Sequence, residues 1–194
     1  MARVSKQQME HNREAIIQVS STLFREHGLN GVSLNDLMAA AGLTHGGFYG
    51  HFASKDELAA IAGRKAIETS NARWQHLSQE TGLQGLEGLV AFYLSTTHRD
   101  NAGEGCLVTA LASDVARAGV SSLLSHVYLD GVNGLLAQLE SLSDIEDTAQ
   151  RRAHALAQLS MLCGALTLAR ATAGDAISEE ILDAARHALL ADKQ

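Results

Sequence analysis

Residues 33–52 read SLNDLMAAAGLTHGGFYGHF, two short helical patterns separated by three residues that begin with Gly42. That is the spacing of a helix-turn-helix, in which a glycine supplies the positive φ of a tight turn. Ser33, with Asp36 three positions on, predicts a capped helix over 34–41, and Thr44 predicts the cap of another over 45–51. Leu37, Met38, Ala41, Leu43, Phe48 and Phe52 are the apolar positions that would pack this pair onto a preceding helix. Thr44, His45, Gly46, Gly47, Tyr49 and His51 are left outward or at the rim, a set of hydroxyls, imidazoles and bare backbone that suits DNA.

Working outward, residues 8–27 form an amphipathic pattern with Ala15, Ile16, Val19, Leu23 and Phe24 on one face, ended by Gly28. Ser54 and Glu57 form a capping box that opens a long helix over 55–79. Further on, Thr81 with Gln84 opens a helix to about 98, and 99–105 (RDNAGEG) reads as a polar loop. A helix from 104 or 105 to 118 is broken by Gly119, and another covers 121–141. Ser143 with Glu146 starts a long one reaching 173, and Ser178 after the Gly174-Asp175 turn caps the last, which ends near 191. No run alternates apolar and polar residues between turn signals, so the fold class is all-α with about nine helices. The organisation expected is a three-helix head over 1–53 and a helical body over 54–194.

The 194 residues are 46% hydrophobic, enough for a buried core, and contain no proline, so glycine must mark the breaks. Cys106 and Cys163 are far apart and form no CxxC pair, which argues against a disulfide framework and a structural zinc site and fits a reducing, cytoplasmic location. No metal or cofactor is expected. The opening MARVSKQQ has no apolar segment behind its basic residues, and the apolar-rich run 155–169 is too short to span a bilayer, so no membrane partner is expected either. The formal charge of -7 argues weakly against nucleic acid until the chain is divided. Residues 1–65 carry seven Lys/Arg against six Asp/Glu, a net +1, and residues 66–194 carry eight against sixteen, a net -8. A near-neutral head on an acidic body suggests two tasks in one chain. The sequence has no GxSxG, HExxH, P-loop or dinucleotide fingerprint, and nine histidines give no ligand set, so no enzyme is expected.

The first 58 residues resemble the TetR family of bacterial transcriptional regulators. The resemblance rests on Arg13-Glu14, Leu23-Phe24, Gly28, Ser33, Asp36-Leu37, Ala40-Ala41-Gly42-Leu43, Gly47, Phe48-Tyr49, His51-Phe52 and 54–58 (SKDEL), in order and at fixed spacing. Val19-Ser20 stands where an alanine pair is commoner, and Gly50 where a polar residue is. The resemblance implies a homodimer that binds double-stranded operator DNA through its heads and a small-molecule effector through its bodies, usually as a repressor. On that reading Ser33, Thr44, His45, Gly46, Gly47, Tyr49, His51 and Lys55 form the DNA-binding set, His45 at a base edge and the others at backbone or phosphate.

In the body, Leu156, Leu159, Cys163 and Leu166 form a bulky stripe suited to the core. Ala153, Ala157, Ser160, Gly164, Thr167 and Ala171 form a small-residue stripe suited to close helix approach. The second stripe, with Ile181, Ala185 and Ala188 from the last helix, is expected at a four-helix dimer interface. Trp74, Phe92, Tyr93 and Tyr128 are expected around an apolar effector cavity. Cys106, just inside a helix N-terminus after a glycine-rich loop, has two readings: an inert small hydrophobe, or a redox- or electrophile-sensing thiol whose modification releases the repressor.

Overall fold

The computed structural model describes the backbone of residues 5–81 and 85–191, and their side chains except at 74, 75 and 77–81. Among the described residues every regular element is helical. The head consists of α1 (Lys6–His27), α2 (Leu34–Ala40) and a 3-10 helix (His45–Gly50). α3 (Lys55–Thr81) leads into the body, which continues with α4 (Gly85–Tyr93), α5 (Thr96–Asp100), a 3-10 turn (Ala102–Glu104) and α6 (Leu107–Ala118). α7 (Leu123–Ser141), α8 (Thr148–Ala171) and α9 (Ile177–Ala191) complete it.

Two apolar cores hold these helices. The first joins Ile16, Phe24, Leu37, Met38, Phe48 and Phe52 of the head to Leu58, Ala62, Leu107, Leu111 and Leu124. The expected boundary at 53/54 falls just before α3, yet the core crosses it, so α3 and α6 are part of the head's support. The second core packs α4, α7, α8 and α9 through Leu89, Leu94, Leu139, Leu162, Leu166 and Leu182.

Local chemistry explains where the helices begin. Ser33 Oγ accepts from the Asp36 N–H at 3.2 Å while Asp36 Oδ2 accepts from the Ser33 N–H at 2.9 Å, the reciprocal cap expected of α2. At α3, Ser54 Oγ accepts from the Glu57 N–H at 3.0 Å, and the Glu57 carboxylate reaches back to the Ala53 N–H. The Thr81–Gln84 cap lies outside the described residues.

Elsewhere the structure corrects the sequence. The helix expected to run from 81 to 98 breaks after Tyr93, because Ser95 caps a new one by accepting from the His98 N–H at 3.1 Å. The expected loop 99–105 is mostly helical, formed by the end of α5 and the 3-10 turn. α8 starts at Thr148, capped by Asp147 accepting from the Gln150 N–H at 2.8 Å, and Ser143 instead accepts from the Ile145 N–H in the preceding turn. Ser178 does not cap α9. It is fully buried, donating to the Ala169 carbonyl at 2.7 Å and accepting from Arg99 Nη1 at 2.9 Å, while Asp175 receives the first N–H of α9.

Candidate functional site: head surface and body cleft

The turn of the head is built by Gly42 at φ 71, whose N–H reaches the Ala39 carbonyl at 3.0 Å. The segment that follows is a 3-10 helix rather than the α-helix expected, with Gly47 N–H on the Thr44 carbonyl at 3.0 Å. Three of its six residues, Gly46, Gly47 and Gly50, are glycines, which weakens the preference for a regular α-helix here. Phe48 anchors it: the ring is fully buried, 5.2 Å from Tyr49 edge-on and 5.7 Å from Phe52.

The structure leaves Ser33, Thr44, His45, Gly46, Gly47 and Tyr49 exposed on this side of the head, with Tyr49 at 68%, and His51 half-buried. The Thr44 hydroxyl makes no cap hydrogen bond, and a Cβ at 46 would meet nothing within 4 Å, so backbone here can approach a partner closely. Lys55 is placed differently from a free surface cation. Its ammonium donates to the Leu29 and Val32 carbonyls and lies 5.9 Å from the Phe24 ring centre, which ties the start of α3 to the loop after α1. Burial against this loop lowers its pKa. Sequence reasoning missed Arg13, whose guanidinium lies 4.9 Å over the Phe52 ring at the edge of the same head.

In the body, a partly open cleft lies between α3, α4, α7 and the 98–106 segment. Leu89, Phe92 and Leu135 give it an apolar wall; Ser70, Arg73, His98, Glu104 and Cys106 give it a polar one. It brings together Phe92, Tyr93 and Cys106 as expected of a shared cavity. Tyr128 does not join them. Its hydroxyl donates to the Val108 carbonyl at 3.0 Å, and its ring lines a separate groove with Val115, His126 and Leu129, because it faces α6 from the outer side of α7. The side chain of Trp74 lies outside the described residues.

The cleft's polar wall is a knot of hydrogen bonds. His98 Nδ1–H donates to the Tyr93 carbonyl at 2.7 Å and Nε2 accepts from the Cys106 N–H at 3.0 Å, which fixes the neutral tautomer. Burial, with the Arg170, Arg73 and Arg25 charges nearby, pushes the His98 pKa down to about 4 against the lift from the Tyr93 carbonyl. Three arginines from three helices hold the same segment: Arg73 donates to the Glu104 carbonyl at 2.9 Å, Arg25 to that of Gly105 at 2.7 Å, and Arg170 to that of His98 at 2.8 Å. The approach is close enough to require glycine at 105, where a Cβ would lie 2.6 Å from Arg170 Nη2 and 2.8 Å from His98 Nε2. Cys106 is itself the N-cap of α6, with no side-chain cap bond. Cys163, expected in the core, is half-buried behind Tyr93, 3.3 Å from its hydroxyl, and burial pushes its thiol pKa up.

Because neutral His98 accepts a backbone N–H, acid should loosen this knot. The folded pKa of about 4 lies below the ordinary 6.5, so the unfolded chain binds more protons between those values. The contribution is complete above pH 6.5 and is lost as pH falls towards 4, a cost of about 3 kcal/mol at 1.36 kcal/mol per pH unit. Urea unfolding at pH 7.5 and 4.5 should show it, and His98→Gln should flatten that part of the slope; an unchanged slope in the variant would refute the assignment.

The small-residue stripe of α8 is a surface. Ala153, Ala157, Ser160, Gly164, Thr167 and Ala171 are all exposed. Leu156, expected in the core stripe, is 44% exposed and flanks this face with Met161 and Leu168, because the inward positions of α8 belong to Ala155, Leu159, Leu162 and Leu166. On α9, Ala188 is exposed, but Ala185 is buried and Ile181 half-buried against the body's own core. Ala184 and Ile177 take the outward positions instead.

Residues 16–61 match the family model described as bacterial regulatory proteins, tetR family. The chain is 40% identical over 58 residues to the HTH-type transcriptional regulator AcrR of Shigella flexneri, covering 30% of this chain and 27% of that one. It is 26% identical over 96 residues to the HTH-type transcriptional repressor KstR2 of Mycolicibacterium smegmatis, covering 50% of this chain and 46% of that one. The matched segments thus span less than half the length of these relatives. Over nearly the whole chain the fold is similar to the reduced form of Escherichia coli NemR, with a TM-score of 0.73, 20% identity and 93% and 95% of the two chains covered. It is also similar to a TetR transcriptional regulator from Legionella pneumophila, with a TM-score of 0.74, 22% identity and 97% of each chain covered. Residues 16–61 of the head thus carry the sequence pattern of the tetR family, and the chain over nearly its full length is similar in fold to solved TetR regulators.

Proposed function

We propose that this protein is a ligand-responsive, DNA-binding transcriptional repressor that works as a homodimer. The observation that carries the reading is the head: a capped helix-turn-helix whose 3-10 helix buries Phe48 and turns Thr44, His45, Gly46, Gly47 and Tyr49 outward. His45 would read a base edge, and the hydroxyls and bare backbone would settle on phosphates. Two heads must be held about one helical turn of DNA apart, roughly 34–36 Å, and the exposed face of α8 and α9 supports that pairing. A molecule in the cleft would move the 98–106 segment and, through it, the helices that carry the head. A thiol-directed trigger would act at the same place, since Cys106 lines the cleft.

The test is binding of the full chain to DNA from upstream of its own gene, read by fluorescence anisotropy against salt, with sedimentation in parallel. Sequence-specific, salt-sensitive binding by a dimer is expected. Gly164→Glu should give a folded monomer whose operator affinity is down at least about 100-fold, since a Cβ at 164 meets nothing within 4 Å in one chain while two facing carboxylates would have to be desolvated in a pair. A wild-type monomer, or no specific DNA binding with or without ligand, would overturn the proposal.

A further inference from the structure

We infer that the cleft takes an apolar carboxylic acid, whose carboxylate binds Arg73 and Ser70 in place of the Glu104 side chain while its hydrocarbon body lies against Leu89, Phe92 and Leu135. The inference rests on the cleft being the effector site and adds the chemical class of the effector. Arg73 and Ser70 are three apart on α3 and line the same cleft, so they can act on one group. The Ser70 hydroxyl is buried and has no hydrogen-bond partner among the described residues. An orphaned buried hydroxyl on a cleft wall is costly unless something arrives to use it. Arg73 Nη2 is 2.6 Å from Glu104 Oε2 in a half-exposed pair, so the chain already places a carboxylate where the ligand's would go.

The surrounding charge favours an anion. Arg25 and Arg170 stand behind the same segment and donate to carbonyl or hydroxyl oxygens, with no ion pair of their own among the described residues. Glu104 is the carboxylate that lines the cleft, and Glu26 approaches Arg25 from outside it. An incoming carboxylate is therefore attracted by three guanidiniums and opposed chiefly by the one acid it displaces. Arginine's planar fork takes a carboxylate through two parallel bonds, and Ser70 can donate a third. The apolar wall selects a ligand with a hydrocarbon or ring body, and Phe92, stacked on His98 at 5.5 Å and 8°, offers it a flat surface.

The experiment titrates the full chain by calorimetry with benzoate, 2-naphthoate and decanoate, each beside its neutral amide, and with acetate. At least one larger acid should bind at least tenfold more tightly than its amide, and acetate should not bind. Arg73→Gln should abolish the preference for the acid, Ser70→Ala should narrow it several-fold, and Glu104→Gln should widen it by removing the internal competitor. Circular dichroism would confirm that each variant is folded. Amides binding as tightly as their acids, or a preference surviving in Arg73→Gln, would overturn the ligand class while leaving the cleft as an effector site. Binding by none of the six larger probes would overturn both.

Discussion

Phe48→Ala is expected to cost about 3–5 kcal/mol of unfolding free energy and to abolish DNA binding. The ring is fully buried where the 3-10 helix meets Phe52 and the rest of the head core, so truncation leaves a cavity in a close-packed region. The 3-10 helix has little else to hold it, because its three glycines contribute no packing and Thr44 makes no cap bond. Tyr49→Ala is the matched control. Its side chain is 68% exposed, so stability should change by less than about 0.5 kcal/mol while phosphate contact, and with it DNA affinity, falls. Chemical denaturation and DNA anisotropy on both variants would separate the roles; equal destabilisation by the two would refute this division between anchor and contact.

That division was legible in the sequence because short-range rules govern it. Helix periodicity put Phe48 inward and Tyr49 outward, and Ser33 with Asp36 marked the start of α2. The α8 stripe was legible for the same reason: positions three and four apart share a face whatever lies opposite. What could not be read is what depends on partners distant in sequence. Lys55 looked like a free cation at a helix start, but the carbonyls of Leu29 and Val32 converge on it once the chain folds back. The glycines of 99–105 read as part of a polar loop, whereas at 105 a side chain would meet Arg170 and His98. Tyr128 was expected around the same cavity as Phe92 and Tyr93, yet its position on α7 places it at another groove. Ser178 has the residue type and position of a cap and is used as a buried bridge between α8 and Arg99.

The 98–106 segment lies where head and body meet. α1 packs against the 3-10 turn and α6, and Asp114 of α6 accepts from the Leu29 N–H at 3.2 Å just beyond the end of α1. Arg73 reaches the segment from α3, Arg25 from α1 and Arg170 from α8, so the linking, head and exposed-face helices all hold one short stretch of backbone. A ligand that takes Arg73 from Glu104 changes one of three grips. Its energy could then shift the balance between two arrangements of the head only to the extent that it binds them differently.

Arg25 should be the most consequential of the three grips. It is 4% exposed, donates from Nε to the Ser21 carbonyl at 2.8 Å and from Nη1 to the Gly105 carbonyl at 2.7 Å, and approaches Ser21 Oγ at 3.3 Å. Arg25→Met keeps the apolar stem but leaves the Gly105 carbonyl without this donor, while relieving the cost of burying a charge. Lost bonds to a charged donor outweigh that relief, and the net cost should be about 2–4 kcal/mol in urea unfolding. Arg117→Met gives the comparison, since Arg117 is largely exposed in its pair with Asp114 and should cost under about 0.5 kcal/mol. A second readout distinguishes a broken joint from general weakening. Amide exchange in Arg25→Met should accelerate at the Cys106 N–H, held by His98, and at the Leu29 N–H, held by Asp114, well before the α8–α9 core opens. Uniform acceleration through both cores, or a cost no larger than that of Arg117→Met, would mean that Arg25 does not join the head to the cleft.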